Sequence, residues 1–181
     1  MGTVRTAAWD GSTAELDAVA ELYARVFAEP PYHEDPDESR RSISERIRRY
    51  ADTKAAFRLI LAWDGNDLAG FVLGMGISDG DWWRDRIAGL VADDVRRTWL
   101  RDECFCVAEL AVAPAHRRSG VATALLTAVL DGVPYKTAVL GCQAAALPAR
   151  RFYAREGWQE VATGLRIGDS PEQCVLAKTI G

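Results

Sequence analysis

The run Cys104-Phe-Cys-Val-Ala-Glu-Leu-Ala-Val-Ala-Pro-Ala-His-Arg-Arg-Ser-Gly-Val-Ala-Thr-Ala-Leu-Leu126 passes from an apolar strand, through a short basic turn with a glycine, into an amphipathic helix. Where a strand hands over to a helix, the first helical N–H groups have no intrahelical partner, and the macrodipole concentrates partial positive charge at the same place. A phosphate fits there. Arg117 and Arg118 add full charges beside the turn, and Gly120 lacks the Cβ that would hold a pyrophosphate off the backbone. Neither G-x-x-x-x-G-K-[ST] nor G-x-G-x-x-G occurs at this turn, so the chain carries an anion cradle of another kind.

Strands and helices alternate around this segment. Residues 3–9 form an expected first strand, and Ser12-x-x-Glu15 reads as a capping box for a helix with Leu16, Val19, Tyr23 and Phe27 on one face. Glu29-Pro-Pro-Tyr32 stops it. A second helix opens at Pro36 and Asp37, with Ile43, Ile47 and Tyr50 inward and Arg40, Arg41, Arg46, Arg48 and Arg49 on a solvated outer face. Strands at 57–63 and 68–74 flank Asp64-Gly-Asn-Asp67, a hairpin turn. Within residues 75–103, Trp83, Ile87, Leu90, Val91, Val95 and Trp99 give the stripe of one helix, with Arg and Asp outward. After the turn, Val121, Ala122, Leu125, Leu126, Val129 and Leu130 make one apolar helix face; a strand at 137–141, a helix with Pro148 in its first turn, and strands at 158–163 and 173–179 complete the chain. This pattern predicts a mixed α/β sheet in a single domain over residues 1–181.

Composition narrows the classes. With 181 residues, 49% of them hydrophobic and 27% charged, the chain can bury a substantial core. A net charge of −4 argues against nucleic-acid or anionic-membrane partners. No apolar run approaches membrane-spanning length and the start lacks a leader pattern, so a cytoplasmic location is expected. Cys104, Cys106, Cys142 and Cys174 have no C-x-x-C spacing and read as small core residues; no metal site is expected.

Arg117-x-x-Gly120-x-Ala122 resembles the (Q/R)-x-x-G-x-(G/A) signature of the GCN5-related N-acetyltransferase (GNAT) superfamily. Glu109-Leu-Ala-Val-Ala-Pro114 precedes it as in that family, and Ala149-Arg-Arg-Phe-Tyr-Ala-Arg-Glu-Gly-Trp158 resembles the family's A-x-x-x-Y-x-x-x-G-(F/W) stretch. The resemblance implies a GNAT-like, mostly antiparallel sheet flanked by helices; the family usually has a short hairpin where residues 75–103 lie, so the helix read there is expected as an insertion between the third and fourth strands. It implies acetyl-CoA as co-substrate, its pyrophosphate on Arg117, Arg118, Gly120, Val121 and Ala122, and its pantetheine amides on the backbones of Leu110 and Val112. Tyr153 matches the tyrosine that protonates the departing coenzyme A thiolate. The family often has Asn where Ala146 stands, His116 reads as packing, and Arg150 and Arg151 are either solvated or within reach of the 3′-phosphate. A homodimer is common in folds of this kind.

Acyl transfer from a thioester to an amine needs a neutral amine, yet an alkyl amine is neutral only about once in two thousand molecules at pH 7. A base therefore helps. Glu109 shares a strand face with Phe105, Val107 and Ala111, where desolvation raises a carboxylate pKa toward the useful range; it reads either as that base or as a structural, hydrogen-bonded carboxylate. Glu34, Asp35, Asp79 and Asp81 are alternative bases acting through water. Tyr32, Trp82 and Trp83 lie where the family builds its acceptor pocket, and the tryptophans read equally as a seam joining the inserted helix to the body. The expectation is an N-acetyltransferase acting by direct attack of a primary amine, with a small-molecule acceptor favoured. The alternatives are a non-catalytic acyl-CoA-binding sensor, a protein N-terminal or lysine acetyltransferase, and an enzyme with another acyl donor or an oxygen acceptor.

Overall fold

The computed structural model describes residues 4–181; Met1 to Thr3, and with them the expected start of the first strand at Thr3, lie outside the described residues. The elements are β1 (Arg5–Ala8), α1 (Thr13–Phe27), α2 (Pro36–Thr53), β2 (Arg58–Asp64), β3 (Asp67–Ser78), α3 (Trp82–Ala88), α4 (Asp93–Val95), a π-helical turn (Arg96–Leu100), β4 (Glu103–Val112), a 3-10 turn (Pro114–His116), α5 (Val121–Leu130), β5 (Thr137–Gln143), α6 (Leu147–Arg155), β6 (Gln159–Leu165) and β7 (Gln173–Thr179). They form the expected α/β architecture, an open seven-stranded sheet in the order β1-β2-β3-β4-β5-β7-β6. Pairing is antiparallel for β1–β2, β2–β3, β5–β7 and β6–β7 and parallel for β4–β5. No helix among the described residues is long and apolar enough to cross a membrane.

The described residues divide into two compact units, residues 4–75 with 109–132 and residues 76–108 with 133–181. In the first, Ser12 Oγ accepts the Glu15 N–H at 3.2 Å and Glu15 reaches back to the Asp10 N–H at 3.1 Å. The box therefore closes on Asp10, because Asp10 Oδ1 already holds the Ser12 N–H at 2.7 Å. Asp35 caps α2 in the same way, accepting the Glu38 N–H at 2.9 Å, with Pro36 in the first turn. Asp64 pairs with Asp67 across a two-residue turn whose first residue, Gly65, has φ +61, the left-handed conformation that such a hairpin requires. Leu16, Val19, Ile43, Ile47, Leu61, Phe71, Leu73 and Leu125 are fully buried, each worth about 1.5–3 kcal/mol of transfer free energy. Gly70 sits where α5 presses on β3: a Cβ there would stand 2.8 Å from Ala111 O and 3.0 Å from Leu125 Cδ1.

The second unit is built on the buried side chains of Ile87, Leu100, Phe105, Leu140, Trp158 and Leu176. All four cysteines are buried and none is in a disulfide; Cys104, Cys142 and Cys174 belong to this core, and Cys174 Sγ donates to Cys142 O at 3.4 Å. Burial pushes the Cys104 thiol up to about 12. The expected single helix of the connection is two pieces. Gly89, the poorest helix former short of proline, closes α3, and the second piece widens into the π-helical turn. That wider turn shifts the phase of the stripe, so that Leu100 is buried while Trp99 is half-buried; Leu90, beyond the end of α3, is exposed. Arg84, expected on the outer face, is also buried.

Candidate active site

The cradle lies in the first unit. Arg117 is extended, Arg118 and Gly120 adopt φ +62 and +85, and α5 begins at Val121 with no side chain capping it. Left-handed residues in a turn ahead of a helix direct backbone N–H groups toward one concavity. The N–H groups of Val121 and Ala122 have no intrahelical acceptor, and a Cβ added at Gly120 would meet nothing within 4 Å. An anion therefore has both donors and room. Arg117 pairs with Glu29 at 2.9 Å, both side chains being exposed. The His116 Nε2 lies 3.2 Å from Asp64 Oδ2. Leu110 and Val112 are half-buried at the end of β4.

Glu109 precedes them on the same strand. Its side chain is 13% exposed, and the Arg46 Nη2 donates to its Oε1 at 2.6 Å. Burial pushes the carboxyl above the usual range, Arg46 pulls it back, and Glu34 adds to the rise; the net direction is up. Arg46 also lies over the Tyr23 ring, 5.8 Å from its centroid. Burial raises the Tyr23 phenol, with Glu109 and Glu34 raising it further, so it stays protonated. Tyr23 stacks on Phe27 at 4.3 Å, and Phe27 meets Tyr32 at 4.8 Å. Glu34 accepts the Ser39 hydroxyl at 2.9 Å.

The assignment of Arg46 to a solvated face needs correction. Ile43, Arg46, Ile47 and Tyr50 occupy positions i, i+3, i+4 and i+7, so Arg46 belongs to the inward stripe, where its guanidinium finds Glu109. That spacing was the signal for it. Tyr23, read as core, gained a second role through the same guanidinium.

In the second unit, Tyr153 is buried on α6, with its ring 5.8 Å from Trp158 and 5.3 Å from Phe152. Ala146 precedes α6 without a side-chain cap. Arg150 is fully engaged: Nε and Nη2 bond both Glu160 oxygens at 2.8–3.0 Å, and Nη1 donates to Ala144 O at 2.9 Å. Reaching a 3′-phosphate would break this set, whereas Arg151 is exposed. The two tryptophans face different surroundings. Trp83 lies over β5, its Cζ2 3.2 Å from where a Gly141 Cβ would stand, while Trp82 is 63% exposed under the Arg86 guanidinium. Among the alternative bases, Asp35 is a helix cap, Asp79 is paired with Arg84, and Asp81 accepts the Ser78 N–H at 2.8 Å.

The model of the acetyltransferase (GNAT) family matches residues 16–158, and the chain belongs to that family of acetyltransferases. Solved structures with the same fold include arylalkylamine N-acetyltransferase 2 from Aedes aegypti, at TM-score 0.67 and 14% identity over 99% of this chain and 100% of that one. Arabidopsis thaliana NAA60 in complex with acetyl-CoA gives 0.66 and 18% over 98% and 99%. The ribosomal-protein-S18-alanine N-acetyltransferase from Escherichia coli gives 0.63 and 16% over 99% and 95%. No curated protein matches the sequence.

Proposed function

We propose that the protein is an acetyl-CoA-dependent N-acetyltransferase that acetylates a small primary amine by direct attack, without an acetyl-enzyme. The observation that carries this reading is the uncapped start of α5 behind Arg118 and Gly120, with open space where a side chain would block an anion. Arg117, Arg118, Gly120, Val121 and Ala122 hold the pyrophosphate, chiefly through backbone N–H groups. Leu110 and Val112 hold the pantetheine amides through their backbones. Acetyl-CoA, when bound, supplies the acetyl group as an activated thioester. Glu109 takes the proton from the amine nitrogen, its raised basicity suiting it to the task. Tyr153 donates its phenolic proton to the departing sulfur.

Relatives in fold act on both kinds of acceptor, an arylalkylamine in one and the ribosomal-protein-S18 alanine in another. The preference for a small amine rests on the set around Glu109: two carboxylates, Glu34 and Glu109, against one guanidinium, Arg46, beside the rings of Tyr23, Phe27 and Tyr32. That balance suits one ammonium group. Tyr32 and the exposed Trp82 are the proposed acceptor contacts; Trp83, packed over Gly141, fits the seam better.

Thiol release from acetyl-CoA with polyamines, aminoglycosides, amino acids and a lysine peptide tests this. Release that depends on a small amine and collapses in Tyr153→Phe and Glu109→Gln is the expected result. Equal use of the lysine peptide would overturn the acceptor class, and coenzyme binding without release from any acceptor would favour a sensor.

A further inference from the structure

The turn before α5 keeps its shape against a local strain. Arg118 has φ +62, a left-handed conformation that crowds its Cβ, and Gly120 follows at φ +85 with Ser119 between them. A residue with a side chain stays left-handed only where its surroundings over-determine it. If Arg118 relaxed, the N–H groups ahead of α5 would no longer converge on one concavity.

Three sets of contacts, all within the first unit, supply that constraint. The Ser119 hydroxyl donates to the His116 carbonyl at 2.5 Å, which closes the chain around Arg118. The His116 ring places Nε2 3.2 Å from Oδ2 of Asp64, the last residue of β2; facing a carboxylate, that nitrogen carries a proton and donates it. Nδ1 of the same ring is buried with no hydrogen-bond partner among the described residues, so Asp64 is the ring's polar anchor. Along the main chain, the His116 N–H donates to Ala113 O and the Ala113 N–H to Ala69 O, both at 2.8 Å, which ties the turn to β3. His116 thus grips the β2–β3 hairpin with its ring and the cradle with its carbonyl.

Arg117 and Glu29 also tie the turn to its surroundings, but more loosely. Their side chains are 43% and 39% exposed, against 21% and 33% for His116 and Asp64, so water screens them more.

We propose that Asp64, His116 and Ser119 are positioning residues that preset the cradle for the pyrophosphate of coenzyme A. Their role depends on the pyrophosphate being bound at this turn. With the turn preset, binding does not have to force Arg118 left-handed, and the difference appears in the affinity.

Titration calorimetry with coenzyme A tests it on the native protein and on Ser119→Ala, Asp64→Ala, His116→Leu, His116→Gln and the Asp64→Ala/His116→Leu double variant. Val19→Ala, which truncates a buried side chain of α1, controls for lost stability alone. The expected result is a dissociation constant raised about five- to tenfold in Ser119→Ala, Asp64→Ala and His116→Leu, with Val19→Ala at the native value. His116→Gln, whose amide N–H takes the place of the Nε2–H, should return the affinity to within about twofold of native. The double variant should be no weaker than His116→Leu, because the shared contact is lost only once. Native affinity in the three single variants would overturn the role, as would additive losses in the double variant, failure of glutamine to rescue, or an equal loss in Val19→Ala. A native protein that binds no coenzyme A would instead overturn the pyrophosphate cradle itself, and the positioning role with it.

Discussion

Two arginine–glutamate pairs, one in each compact unit, are built from the same residue types to different ends. In the first unit Arg46 meets Glu109 through a single 2.6 Å contact, and burial outweighs the arginine, so that the carboxyl sits above its usual range. In the second, Arg150 grips both oxygens of Glu160, adds the Ala144 carbonyl, and the two side chains are 29% and 32% exposed. Screened by water and joined by three hydrogen bonds, the second pair fixes the start of α6 to β6. Glu109, desolvated and held by Arg46 at one oxygen, is the carboxylate proposed above as the base. What separates the staple from the proposed proton acceptor here is coordination and water, not residue identity.

The contrast can be broken most directly by removing each carboxylate. Glu109→Gln should lower kcat/KM about 10²–10³-fold, the scale of a lost general base, as measured by thiol release. Glu160→Gln should change it by less than about twofold; a comparable loss from both would erase the distinction. Arg46→Met sharpens it. Removing a positive charge raises the Glu109 pKa further, and a base acts only when deprotonated. The acid limb of kcat/KM therefore moves to higher pH, with about a tenfold loss of rate for each unit moved at pH values below its midpoint. Arg150→Met should leave the limb where it is.

Glycines give a smaller, structural version of the same test. Gly70→Ala drives a Cβ against the Ala111 carbonyl on the strand that carries Glu109, and backbone cannot yield as a side chain does, so unfolding should become about 1–3 kcal/mol easier in denaturant titrations. Gly141→Ala meets only the Gln173 and Trp83 side chains, at 3.1 and 3.2 Å, and should cost less than about 1 kcal/mol. The smallest effect expected is that of Arg150→Met on the thermal midpoint, a slight fall with kcat/KM unchanged.

The cradle was readable in sequence because its features are local. Arg117, Gly120 and Ala122 have fixed spacing, the strand ahead is apolar, and the helix behind is periodic. The helix cap at Ser12 is local too, though only coordinates reveal that Glu15 closes on Asp10. The partner of Glu109 was not readable in the same way. Arg46 lies 63 residues away, and nothing local couples them; only its place in the Ile43–Ile47–Tyr50 stripe hinted that it turned inward. The connection before β4 failed for another reason. A period of 3.6 persists in the sequence across Gly89 and the π-helical turn, but neither a helix stop nor a phase shift alters the count of apolar residues that suggested one helix.

The most direct measurement is the pH dependence of kcat/KM for the native protein beside Glu109→Gln with the same amine, because the difference between the profiles separates Glu109 from the acceptor's own titration. A limb present only in the native protein, with its midpoint above the ordinary glutamate value of about 4.3, is the predicted result. Superimposable profiles would contradict it and reduce the Arg46–Glu109 pair to scaffold.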